Sequence, residues 1–141
     1  MTVPTRCVVL VHVGGSIDPG CEDGLRELER RGHPVRRVRG YSAIDAARCQ
    51  MATDALADGF DELMWVDSDV AFDPADVDKP YGHGRPLTCG LYPKKGPRQF
   101  AAAFLPGTKA VRFGKGGGLT DGRTSGHTSS PAARRPWPAR R

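Results

Sequence analysis

Residues 63–74 read "LMWVDSDVAFDP", an apolar run that stops at two aspartates one residue apart. Leu63, Met64, Trp65 and Val66 have the character of a buried strand, and Asp67 and Asp69 close it. Carboxylates at the mouth of such a strand are costly to desolvate unless a cation meets them. The stretch therefore raises two questions: what covers the strand, and which cation meets the aspartates.

The sequence before it supplies the covering layers. Arg6–Val13 is a continuous apolar run, the pattern of a parallel strand covered on both faces. "GGSIDPG" breaks it, and Asp18 with Pro19 opens a helix in which Cys21, Leu25 and Leu28 recur at helical spacing until Gly32. Val35–Tyr41 reads as a second strand. Ser42 and Asp45 have capping-box spacing, opening a helix to about Ala57 with Ile44, Ala47, Met51 and Ala55 as its apolar stripe. Glu62–Val66 is the third strand, and Asp73-Pro74 starts a short helix that Pro80 ends or distorts. Alternating strands and helices predict an α/β domain with a mostly parallel sheet. Beyond it, "PLTCGLY" reads as a fourth strand, and "QFAAAFLPGTKAVRFG" as two strands around Pro106-Gly107.

Composition bounds the function. The 141 residues fit one ordinary domain. No apolar stretch reaches the roughly 20 residues of a membrane span, and no signal-peptide pattern occurs, so a cytoplasmic protein is expected. The net charge of +5 is not spread over the chain. Residues 1–114 hold 15 basic and 15 acidic side chains, whereas residues 115–141 hold six basic residues against Asp121. That tail has no apolar period, and its large apolar residues are Leu119 and Trp137 alone, so it is expected to be disordered. Trp137 among prolines lacks the interleaved aromatics of a single-strand binder, so no nucleic-acid partner is expected, although the basic tail leaves that reading as a minor alternative. Cys7, Cys21, Cys49 and Cys89 form no C-x-x-C pair and read as free thiols.

In an extended strand residues i and i+2 point the same way, so Asp67 and Asp69 would face one site if the strand ran through Ser68. The carboxyl end of an open α/β sheet is where ligands bind, and paired carboxylates suit a hard divalent ion that also meets diphosphate oxygens. Simple capping and solvation of a strand end is the other reading. A calcium loop starting at Asp67 fails because Ala71 and Phe72 stand where a ligand and a glycine are required. A haloacid-dehalogenase-type phosphatase normally carries its aspartate pair after the first strand, and here two strand–helix units precede it.

With these elements in place, residues 6–114 resemble the nucleotide-binding half of a GT-A-fold glycosyltransferase, similar to the large family 2 of such enzymes. The resemblance is carried by "CVVLVHV", "SAIDAARCQMATDAL", "FDELMWVDSDVAFDPADV" and "CGLYPKKG". It implies a Rossmann-like sheet with flanking helices and a nucleoside-diphosphate sugar as donor. It further implies Mn²⁺ or Mg²⁺ as cofactor, with Asp67 near the ribose and metal and Asp69 ligating the metal directly. Asp18 lies in the loop where relatives hold the base, though helix capping also accounts for it. Arg48, one turn after Ile44, is placed to reach a phosphate or nucleotide over the sheet edge, or to lie over the core as a surface arginine. Lys94 and Lys95 are candidates for the diphosphate, or residues of a solvated loop. His12 reads as a satisfied core or loop histidine rather than a ligand.

The family pattern breaks off after "FGKGGGL". Past Asp78 the only acid is Asp121, so no carboxylate is placed to deprotonate an acceptor, and the acceptor is not identified. The expectation is residues 1–114 as an incomplete nucleotide-sugar-binding domain and residues 115–141 as a basic tail resembling out-of-frame translation. That describes either a truncated transferase or a non-catalytic nucleotide-binding remnant.

Overall fold

The computed structural model describes residues 6–77, together with residues 85, 87–90, 102–104, 106 and 122–124. The chain divides into two units, Met1–Arg85 and Pro86–Arg141. The first contains β1 (Cys7–Val13), α1 (Pro19–Arg30), β2 (Val35–Arg39), α2 (Ile44–Ala57) and β3 (Glu62–Trp65), in the order the sequence predicts.

The three strands form a parallel sheet in the order β2-β1-β3. Leu10 stands beside Arg36 on one side and Trp65 on the other. Because β1 lies in the middle, the crossover from β1 to β2 and the one from β2 back past β1 to β3 run in opposite directions across the sheet, and right-handed connections then put the two helices on opposite faces. The packing shows that division. Val9, Val11 and Val13 lie with Cys21, Leu25 and Leu28 of α1, while Val8 and Leu10 lie with Met51 and Ala55 of α2. The continuous apolar run of β1 follows from this, since both parities are covered and each fully buried valine or leucine contributes about 1.5–3 kcal/mol.

Both helix ends are written in the sequence. After α1, Gly32 at φ 91° donates to the Glu29 carbonyl and His33 to that of Leu28, each at 3.0 Å. After α2, Gly59 at φ 82° donates to Leu56 at 3.0 Å and Phe60 to Ala55 at 3.1 Å. Both are Schellman closures that need a left-handed residue, which glycine provides without strain. The start of α1 also follows expectation: Asp18 Oδ1 accepts from the Gly20 N–H at 2.9 Å. The start of α2 does not. The capping residue is Ala43, one position later than the box spacing predicts, and no side chain caps it. Asp45 thereby falls in the first turn, where its charge still favours the helix dipole.

Other elements also depart from the sequence reading. β3 stops at Trp65 and is an edge strand among the described residues, so Trp65 is 36% exposed instead of covered. Asp73 Oδ1 accepts from the Ala75 N–H at 2.9 Å, and one helical turn forms over residues 75–77, while Pro80 lies outside the described residues. Leu87–Gly90, within the expected fourth strand, are not strand, and Leu87 is 87% exposed, which removes the buried face such a strand needs.

In the second unit, β4 (Ala102–Phe104) pairs antiparallel with β5 (Gly122–Thr124), Ala103 opposite Arg123. This corrects one expectation: residues 122–124 are strand inside a tail read as structureless. The strand expected just after Pro106-Gly107 lies in residues 107–121, outside the described ones. Ladder hydrogen bonds use backbone groups alone, so hydrophobic periodicity does not reveal such a strand.

Candidate site at the carboxyl edge of the sheet

A sheet of order β2-β1-β3 reverses its winding between β1 and β3, and the crevice outside the carboxyl ends of those two strands is where open α/β sheets bind ligands. Asp67 and Asp69 follow the carboxyl end of β3, and Asp18 follows that of β1. The topology therefore brings the candidate residues to the place where a ligand site is built.

The two aspartates do not reach it as alternate residues of a strand. The Val66 N–H donates to the Leu10 carbonyl at 3.0 Å, the last bond continuing the ladder, and the chain then turns, the Val70 N–H donating to the Asp67 carbonyl at 3.2 Å. The expectation that the strand runs through Ser68 is corrected: Asp67 and Asp69 are the first and third residues of a four-residue turn. Asp67 is half-buried and Asp69 exposed.

Three contacts fix this turn against α1. The Asp18 N–H donates to the Ser68 carbonyl at 2.9 Å, joining the loop after β1 to the loop after β3. The Cys21 thiol donates to the Asp67 carbonyl at 3.5 Å. Burial pushes that thiol's pKa up, and Asp18, Glu22 and Asp69 add to the effect while Arg37 opposes it. The upward shift favours the protonated thiol, the form that donates this bond. The third contact is steric: a Cβ on Gly20 would come within 2.9 Å of Ala71 Cβ, so this glycine lets the segment after the turn lie close against the helix start.

The cation that meets Asp67 is Arg48. Its Nη2 donates to Asp67 Oδ1 at 2.8 Å, and its guanidinium lies 5.5 Å from the centre of the Trp65 ring. Leu63 packs with the α2-side cluster, so strand alternation places Trp65 on that same face, where Arg48 covers it. The sequence reading puts Arg48 near a phosphate or over the core. In the structure it lies over Trp65 and pairs with the first aspartate of the motif.

The remaining candidates divide. Asp18 caps α1 and is exposed at the same edge. Lys94, with Lys95, lies outside the described residues. His12 departs from its expected satisfied state: Nε2 is buried and has no hydrogen-bond partner among the described residues. Sequence reasoning also missed Cys21 as a support of the turn. Its helical period marks it as core, and nothing in the sequence says which carbonyl its thiol faces.

No group of three or more His, Cys, Asp and Glu side chains placed to hold a metal occurs among the described residues. A divalent ion that serves a diphosphate does not need such a cage. Mg²⁺ usually takes one or two carboxylates and completes its shell with phosphate oxygens and water. Asp67 and Asp69 fit that smaller requirement by their chemistry. No helix among the described residues is long and apolar enough to cross a membrane. No family model, curated protein or solved structure matches the chain.

Proposed function

We propose that the chain binds a nucleoside-diphosphate sugar through Mn²⁺ or Mg²⁺ at Asp67-Ser68-Asp69, as the nucleotide-binding half of a GT-A-like, Rossmann-type glycosyltransferase domain. One observation carries the reading: the aspartate turn is docked through Ser68 on the loop after β1, at the point where the sheet order reverses. The resemblance of residues 6–114 to such enzymes supplies the chemical class. A bound ion would offset the charge of the diphosphate, which two carboxylates otherwise repel. On this reading Asp67 and Asp69 hold the ion, and Asp18, in the loop after β1 at the same edge, is the candidate for the nucleoside.

Calorimetric titration with UDP and GDP, with and without Mn²⁺, tests the proposal, beside an assay for loss of sugar from the donor. Wild type binds a nucleoside diphosphate only when the metal is present, and Asp69→Asn loses most of that binding while keeping its circular dichroism spectrum. Equal binding by the two proteins, or binding that ignores the metal, would remove the site from Asp67 and Asp69. Turnover of the donor would extend the reading from binding to transfer.

A further inference from the structure

We propose that Arg48 is an internal cation that competes with a divalent ion for the Asp67 carboxylate. The inference rests on the metal-dependent reading of the site. The contact is a single one, from Nη2 to Oδ1 at 2.8 Å, and the two side chains are 43% and 42% exposed. An ion pair this open is weakly held, and its loss shifts an equilibrium by only about two- to fivefold. Two cations on one carboxylate repel each other, so an ion arriving at Asp67 weakens the hold of Arg48, and Arg48 weakens that of the ion.

The surroundings make the exchange local. The Asp67 carbonyl is fixed by the Cys21 thiol and the Ser68 carbonyl by the Asp18 N–H, so the turn stays in place when the guanidinium leaves. Arg48 already lies over the Trp65 ring at 5.5 Å, and the indole face remains a resting place for it. Trp65 therefore reports on the exchange. The sequence leaves Arg48 either as a phosphate contact or as a surface arginine over the core, whereas in this proposal it opposes metal binding in isolation.

The test uses the full chain carrying Trp137→Phe, which leaves Trp65 as the sole tryptophan of the two. Mg²⁺ alone is titrated by calorimetry and by tryptophan emission, then again in the presence of UDP. Arg48→Gln binds Mg²⁺ alone about two- to fivefold more tightly than the parent. Arg48→Lys, which keeps the charge, remains closer to the parent. Emission changes on Mg²⁺ addition in the parent and not in Arg48→Gln. If the parent binds Mg²⁺ and Arg48→Gln binds it equally or more weakly, the competition is overturned and the metal site stands. If neither protein binds Mg²⁺ with or without UDP, both the competition and the proposed function fall.

Discussion

The backbone N–H of Asp18 donates to the carbonyl of Ser68 at 2.9 Å, across 50 positions of sequence, while the side chain of the same Asp18 caps α1 through Gly20. One residue thus starts the helix and ties the two loops of the site. Its two functions use different atoms and can be separated. Asp18→Ala removes the cap and keeps the backbone bond, so it should cost about 1 kcal/mol in urea unfolding, the usual value for a lost cap. A loss well above about 2 kcal/mol would show that the carboxylate supports more than the helix start.

Central and edge strands should respond differently to truncation. Leu10 is fully buried in β1 with a strand on each side, and Leu10→Ala should cost about 2–5 kcal/mol. Trp65 is larger but lies on β3 and is 36% exposed, so Trp65→Ala should cost roughly 1–2 kcal/mol from its partial burial. Equal costs, measured by denaturant unfolding, would place β3 inside a wider sheet.

Gly24 offers a test of close packing between α1 and the segment after the aspartates. A Cβ there would lie 2.9 Å from Phe72 Cζ and 3.0 Å from its Cε1. Alanine gains about 1 kcal/mol of helix propensity, but overpacking costs about 1–3 kcal/mol, so Gly24→Ala should be neutral to destabilising. In a Phe72→Leu background the clash is relieved and the same change should stabilise. A change of equal sign and size in both backgrounds would mean that the ring does not limit this site.

Stability at low pH should depend on Arg37. Its guanidinium donates to both oxygens of Glu22 at 3.0 and 3.1 Å and to both of Glu29 at 2.7 and 3.2 Å. Hydrogen bonds from Arg37 hold both carboxyls below the ordinary glutamate range. A depressed folded pKa gives stability that is present above the unfolded value, about 4.3, and is lost as pH falls through the folded one. The advantage of wild type over Arg37→Met should therefore be full above about pH 5 and shrink below it. Thermal unfolding across pH 2–7 checks this, and a gap that stays constant through the acid range would remove the linkage.

Much of the first unit was legible because its signals are local or periodic. Gly32 and Gly59 mark helix ends through backbone conformation, Asp18-Pro19 marks a start, and β1 shows by its unbroken apolar run that both its faces are covered. The site was legible as a pair of aspartates at a strand end, but not as a turn. Periodicity cannot say whether the ladder stops at Trp65 or runs to Ser68, because that is settled by the Asp18 and Val70 backbone bonds. The Arg48–Asp67 pair needed the relative placement of α2 and β3, which two separately read elements do not contain. β5 was illegible for a different reason: Gly122, Arg123 and Thr124 pair through their backbones and carry no apolar pattern.

The central place of β1 also sets a gradient of protection. Its amides lie in a sheet flanked by β2 and β3 and beneath helices on both faces, so deuterium reaches them only when the whole sheet opens. The Asp67–Val70 turn hangs from the rim by a handful of bonds, and its amides exchange through small openings that leave β1 closed. The aspartates thus occupy the margin of a stiff sheet, where a side chain can change partners without the sheet opening.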